Sequence, residues 1–294
     1  MSKQAATLFL FLTTMIWGAA FVAQSVTSQY IGAFGVNAIR YLLGFLTILP
    51  YYFLKRKQMK KDTLFLYLWA GLLCGGALFI ASYFQQLGVS MTSVGKSGFI
   101  TTLYVVAVPM ITLIMYRRKL HPITIIAIVF ALIGTYVLCV NENFSINLGD
   151  IYCFIGAMFW GLQIVFVERF ALKLNGIRFA VYQFLIGGLL NVVCMLLFEQ
   201  QVDFHLSKTV FPLLYLGVLS TGIGFTAQII GQTHIEATVS SIIMSLESVF
   251  SVIFGFLILQ EVLTMKQMVG CIIVFIAVLI AQVNPKRLDN FLKK

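Results

Sequence analysis

Residues 5–26 read AATLFLFLTTMIWGAAFVAQSV, a stretch without a single charge. As a helix rising 1.5 Å per residue it would extend about 33 Å, enough to cross the hydrocarbon core of a bilayer. No water pairs the backbone in hydrocarbon, so such a run is stable only when its N–H and C=O groups bond within their own helix. Ala19, Ala20 and Ala23 resemble a signal-peptidase site, but the run is too long for a signal peptide's apolar core, and it is expected to remain as a span.

Nine more runs follow, near residues 32–54, 64–87, 92–116, 121–140, 149–170, 178–198, 208–231, 238–260 and 263–284. The composition agrees: 60% of the 294 residues are hydrophobic and 10% charged, and the mean hydropathy is +0.97. No soluble core could bury that much apolar surface, so the lipid bilayer itself must be the solvent. Alternating ten-residue strands are missing from the sequence, which excludes a β-barrel. The connections are too short to hide a soluble catalytic or nucleotide-binding domain.

The Trp17-Gly18 pair inside the first run has an echo. Met15-Ile16-Trp17-Gly18 recurs as Met158-Phe159-Trp160-Gly161, Gly44 as Gly187, and Leu103 and Leu120 as Leu246 and Leu263, all 143 residues apart. In the third and eighth runs Gly75, Phe79, Ser82 and Gln86 match Thr221, Phe225, Gln228 and Gln232 at a register slipped by three, as a loop insertion would produce. The reading is a five-span unit used twice, residues 5–140 and 149–284, followed by a basic tail over 285–294. An odd number of spans per unit makes the second copy enter from the opposite side. The expected fold is therefore an all-α integral membrane protein of ten transmembrane helices in two five-helix inverted-topology repeats, the layout of secondary transporters that bind solute at the repeat interface.

Basic residues set the orientation. Sixteen of the twenty fall at the amino terminus, in the even-numbered connections (Lys55 to Lys61, Arg117 to Lys119, Arg169 to Arg178) and in the tail, whereas Lys208 and Lys266 are alone on the other side. The positive-inside rule then places both termini in the cytoplasm and the protein in the cytoplasmic membrane, multi-pass. The net charge of +10 reflects this topology, and loops this short offer no face for a nucleic acid. The five cysteines lie in apolar runs without C-x-x-C spacing and read as small buried hydrophobes; His121, His205 and His234 lie at loops on different sides, against a shared metal site. No cofactor is implied, and nothing in the pattern bears on oligomeric state.

The 5+5 repeat, the two Trp-Gly pairs, Arg40 in the second span, Ser245-Leu246-Glu247-Ser248-Val249-Phe250, and Glu261-Val262-Leu263-Thr264 with Gln267 and Gly270 resemble the EamA-type family of the drug/metabolite transporter superfamily. The resemblance covers nearly the whole chain. It implies a basket-like ten-helix fold, a central cavity lined by helices one, three, four, six, eight and nine, and export of metabolites, amino acids or toxic compounds. Two positions depart from the family pattern: Ser248 stands where proline is common, and Lys96 lies in a span that is usually uncharged.

Helical spacing nominates the cavity. Ser240, Met244, Glu247, Ser251 and Gly255 form one stripe on the ninth span. Ser93, Lys96, Ser97, Thr101 and Tyr104 do so on the fourth, Thr221, Phe225, Gln228 and Gln232 on the eighth, and Thr13, Trp17, Ala20 and Gln24 on the first. With Ser82, Gln86, Trp160 and Gln163 these supply the candidate substrate cavity. Small and hydroxyl residues also serve close helix packing, the reading given to Gly71 and Gly75.

Charges within a span cost about 2.5–3.5 kcal/mol at its centre on insertion scales and need a reason. Glu247 sits about ten residues into its span. It is the candidate for binding a cationic group or carrying a coupling proton; the competing reading is a hydrogen-bonded lock between two helices. Lys96 could snorkel or contact an anion, and with Glu247 would suit a zwitterionic small-molecule solute. Arg40 is expected at the periphery, holding carbonyls or the Tyr41 region. Trp17, Trp160 and Tyr104 could wall the cavity or face a cation.

Apparent nucleotide motifs fail. Gly88 with Gly95-Lys96-Ser97 has the wrong spacing for a phosphate loop and no strand before it, and Gly222-Ile223-Gly224 with Ala227 lies inside a span. Asn143-Phe144-Ser145 is a glycosylation sequon expected to be unused. An intramembrane enzyme would need paired acid, base or metal groups at one depth, so an enzyme is not expected. A pore would more often carry charged rings. The sequence favours a gradient-driven exporter, with an importer or facilitator as the alternative.

Overall fold

The computed structural model describes residues 1–58, 63–139, 146–199, 205–260 and 264–283. Lys60, Lys61, the sequon Asn143-Phe144-Ser145, Glu261-Val262-Leu263 and the basic tail lie outside the described residues. Every regular element among the described residues is helical. Helices α1 (Lys3–Thr27), α2 (Ala33–Lys55) and α3 (Leu64–Met91) precede a broken rod, α4 (Val94–Thr101) and α5 (Tyr104–Tyr116). Then come α6 (Pro122–Cys139), α7 (Leu148–Ala171), α8 (Gly176–Phe198) and α9 (Leu206–Leu214). The last runs through a π-helical segment (Tyr215–Phe225) into α10 (Thr226–Gln232). A second broken rod, α11 (Ala237–Met244) and α12 (Leu246–Leu259), and α13 (Met265–Ala281) complete the described chain.

Taking each broken or mixed rod as one, eight are long and apolar enough to cross a membrane, and α6 and α13 are shorter apolar helices. The outer surface is apolar, with Phe65, Ile114, Phe211 and Leu196 exposed, while Thr13, Gln163, Gln183 and Ser240 are buried. That inside-out distribution is what a lipid solvent selects, and the chain is a multi-pass membrane protein.

Local chemistry explains the ends and breaks. Asn147 caps α7 by accepting from the Asp150 N–H at 2.9 Å, and Asp150 reciprocates from the Asn147 N–H at 2.8 Å. Gly32 offers α2 no capping side chain, so Glu199 at the end of α8 accepts from the Phe34 and Gly35 N–H groups, each at 2.8 Å. At the two breaks no proline or glycine intervenes. Thr102 and Ser245 instead turn their hydroxyls back on the carbonyls of Phe99 and Ile242, both at 2.7 Å, a local bond that competes with helix continuation. Thr102 and Ser245 are 143 residues apart, as are Arg117 and Gln260, the left-handed residues that end α5 and α12.

Contacts recur at the same offset. Gly18 of α1 lies against Phe250 and Ser251 of α12, and Gly161 of α7 lies against Ala107 and Val108 of α5. Gly88 closes on Gly149 and Cys153, and Gly231 on Ala6 and Leu10. Each partner in the second member of a pair is the first displaced by 143. Gly88 and Gly231 keep that offset too, which corrects the three-residue slip read between the third and eighth spans: each lies six positions before the start of the next helix, Val94 or Ala237, so no insertion lies there. The matched Gly75 and Thr221 are therefore not equivalent. Gly71 and Gly75 pack as read, against Tyr182 and against the Gln183 carbonyl.

Candidate solute-binding cavity

The two breaks flank a buried cavity of about 30 Å³, room for roughly one or two waters. Solute pockets commonly measure about 300–1,000 Å³, so the space at this site is smaller than a bound solute would fill. Ten of the fifteen lining residues form pairs 143 apart: Trp17 with Trp160, Ala20 with Gln163, Phe21 with Ile164, Gln85 with Gln228, and Tyr104 with Glu247. Gln24, Arg40, Thr101, Ser220 and Phe225 complete the wall.

The break before α12 positions Glu247 in that helix's first turn, where unpaired N–H groups favour a carboxylate. It is 4% exposed, and its neighbour across the cavity wall is the Tyr104 phenol at the equivalent position after the other break. The Glu247 carboxyl and the Tyr104 hydroxyl interact with each other there. Phe225 lies between two indoles, stacked on Trp160 with ring centroids 5.5 Å apart and tilted by 50° against Trp17 at 4.7 Å. The Trp17 Nε1 donates to the Ser220 carbonyl at 3.2 Å, while Trp160 Nε1 has no partner. Gln163 and Gln228 pair amide to amide at 3.2 and 3.4 Å. Gln85 donates to Thr101 at 3.2 Å.

Of the residues nominated from sequence, Trp17, Gln24, Thr101, Tyr104, Trp160, Gln163, Gln228 and Glu247 stand in the wall. Ser82, Gln86, Ser97, Met244 and Ser251 do not. The three serines bond to carbonyls of their own helices, Phe79, Ser93 and Ser248, at 2.8–3.2 Å. Gln86 donates to the Gln24 carbonyl at 3.1 Å, and Met244 is fully buried. Lys96 is not in the wall either. Its ammonium ion-pairs with Asp150 at 2.5 Å, two turns before the break, because α4 begins only at Val94. The anticipated pairing of Lys96 with Glu247 around one solute is therefore corrected.

Arg40 reverses the expectation of a peripheral place. It is 3% exposed and stands in the wall. Its Nε donates to Thr221 at 3.2 Å and its Nη2 to Ser220 at 3.1 Å, both in the π-helical segment. Sequence reasoning also missed Gln85, Phe21, Ile164 and Ser220. The signal for Arg40 was its charge within a span; for Gln85, Phe21 and Ile164 it was the offset of 143 from nominated residues or from neighbours of them.

At the bundle end where α1 begins and α7 ends, a wider cleft of about 530 Å³ is lined by Lys3, Arg118, His121, Glu168, His234 and Glu236 among others. Arg118 pairs with Glu168 there at 2.8 Å. His205 lies elsewhere, its ring stacked on Tyr30.

A model of the EamA-like transporter family matches the chain twice, over residues 4–140 and 147–282. Among curated relatives, an uncharacterized transporter of Archaeoglobus fulgidus is 27% identical over 279 residues, 95% of this chain and 86% of that protein. The uncharacterized transporter YoaV of Bacillus subtilis is 24% identical over 269 residues, 89% of this chain and 91% of that one. A crystal structure 17% identical in sequence superposes with a TM-score of 0.82 over 98% of this chain and 99% of its own, a likeness of fold. With two family matches that together span both ends of the wall just described, the chain belongs to the EamA-like transporter family.

Proposed function

We propose that the protein is a secondary-active exporter of small solutes that works by alternating access, with ten spans arranged as two inverted five-helix repeats, 5–140 and 149–284, and both termini cytoplasmic. The observation that carries this reading is the cavity wall, five pairs of residues at one offset. A pocket built from equivalent residues of two halves lies on the axis that relates them, where exchange of conformation between the halves exposes it to either side. The double family match and the exchanged glycine contacts support the repeat. The inverted sense is supported by Lys3 and Glu168 lining one cleft, since α1 then starts where its counterpart α7 ends.

On this reading the Lys96–Asp150 ion pair closes one end of the bundle and the cleft lined by Lys3 and Glu168 is the opening at the other. On the positive-inside assignment the open end faces the cytoplasm. Glu247 is the group proposed to exchange a proton or hold a cationic group of the solute, because it is a buried carboxyl that faces a shared cavity. The test is purified protein in proteoliposomes, screened with a small-metabolite library with and without an imposed pH gradient. Gradient-driven flux that loses its pH dependence in Glu247→Gln is the expected result. Flux of the same rate and pH profile in the variant would remove Glu247 from coupling, and no protein-dependent flux of any solute would overturn the transport reading.

A further inference from the structure

We infer that Arg40 is the anion-binding pole of this cavity and that the solute carries a carboxylate which its guanidinium clasps. The inference rests on the transport reading above. A guanidinium buried in the middle of a membrane protein needs its charge and its five donors answered. Among the described residues the side-chain ion pairs are Lys96–Asp150 and Arg118–Glu168, so no carboxylate answers Arg40. Two neutral hydroxyls take Nε and Nη2, and the Tyr41 ring lies 5.4 Å from the guanidinium carbon. Nη1 has no hydrogen-bond partner within the protein. An unpaired donor on a buried cation is an expensive thing to keep, and the residue that carries it is one of those lining the cavity.

The rest of the site narrows the ligand. Ser220 and Thr221 fix the guanidinium from behind, so the fork is held rather than free to swing, the condition under which arginine recognises a planar carboxylate. A second cation would be expected for a phosphate dianion, and Arg40 is the single cationic side chain in the wall. Trp17, Trp160 and Phe225 provide an aromatic, largely apolar wall for the body of the molecule. Glu247 accommodates a basic group or, protonated, a neutral one. The class is thus a small monocarboxylate with an apolar or aromatic body, with or without an amine.

The assay is counterflow in proteoliposomes with matched probes: a panel of α-amino acids and simple aryl monocarboxylates, each beside its carboxamide. The wild type is expected to favour carboxylates about ten- to hundredfold, the discrimination given by one charge-assisted hydrogen-bonded contact. Arg40→Gln should abolish that preference, and Arg40→Lys, which keeps the charge without the fork, should keep a reduced one. Melting of each variant in nanodiscs reports folding. Transport by the wild type with no preference for carboxylates overturns the inference and leaves the transport reading standing, as does a preference that survives in folded Arg40→Gln. Should Arg40→Gln not fold, Arg40→Lys decides: full wild-type discrimination in it would overturn the clasp. Absence of flux for every probe and every library solute overturns both.

Discussion

The ion pair between Lys96 and Asp150 gives the most quantitative test. Lys96 and Asp150 are 2.5 Å apart with side chains 15% and 5% exposed. Exposed pairs contribute about 0.2–1 kcal/mol, and losing one partner of a buried pair costs about 3–5 kcal/mol. A pair that is mostly but not wholly buried should lie between, with a coupling of about 2 kcal/mol, or roughly 30-fold in an equilibrium constant. Asp150 also accepts from Thr92 Oγ1 at 3.0 Å and closes the α7 capping box. Asp150→Ala should therefore cost about 1 kcal/mol more than Lys96→Met, the typical worth of a cap. The double variant should be less destabilised than the sum. Measured as a double-mutant cycle of thermal unfolding in nanodiscs, each loss of about 2 kcal/mol lowers the melting point by about 4–8 °C. If the pair seals this end of the pathway, its loss also opens it. Gly95→Cys, whose Cβ would meet nothing within 4 Å, then reports the opening through faster reaction with a membrane-impermeant thiol reagent in the Lys96→Met background. A coupling energy below about 0.5 kcal/mol, the usual additivity error, together with unchanged labelling would refute the seal.

Other sites answer to the same physics. Gly18→Ala sets a methyl group 2.7 Å from the Phe250 carbonyl carbon and 2.8 Å from the Ser251 nitrogen, backbone that cannot move aside; a loss of about 2–3 kcal/mol in unfolding is expected. Gly161→Ala meets the Ala107 methyl at 2.8 Å and main chain only at 3.4 Å, so it should cost less, about 1–2 kcal/mol. Glu199→Ala removes both bonds that cap α2 and should destabilise by about 2 kcal/mol, with faster hydrogen exchange at Phe34 and Gly35 and partial rescue in Glu199→Gln. Trp17→Phe keeps an aromatic ring against Phe225 but frees the Ser220 carbonyl, a loss of about 1 kcal/mol in stability.

The helices were legible because hydrophobic length in lipid is a one-dimensional signal. The breaks were not, since Thr102 and Ser245 end α4 and α11 by a hydroxyl bonding three residues back, which leaves the apolar pattern undisturbed. Equivalence at 143 was legible from Trp17-Gly18 and Trp160-Gly161, but the third and eighth spans were set three residues out of register by a chance match of polar spacing. Packing against Gly149 and Ala6 restores it. In the site, Glu247 was found because depth alone marks a charge. Lys96 was misplaced because its partner, Asp150, is fifty-four residues away in sequence and doubles as a helix cap. Arg40 was set aside because its span was taken as peripheral, whereas the contact of α2 with the π-helical segment, through Gly44 on Thr221, brings it to the centre.

The skeleton of the cavity follows the offset of 143, and its chemistry departs from it. Trp17 and Trp160 are alike and Gln85 and Gln228 are alike, so on the proposed alternating-access reading the walls could exchange roles. Glu247, however, stands opposite a tyrosine, and the position equivalent to Arg40 is Gln183, a buried amide without hydrogen-bond partners that is not in the wall. Were the chemistry as symmetric as the packing, a solute could bind equally well in two orientations and neither pole would be defined. With the one cation and the one carboxyl both placed where their counterparts are neutral, the cavity has a fixed polarity whichever end is open. On the proposed reading, a solute with an anionic group on Arg40 would keep that contact from entry to release. The protein then needs to move only the helices that close over it, and the two-fold packing allows either set to do so.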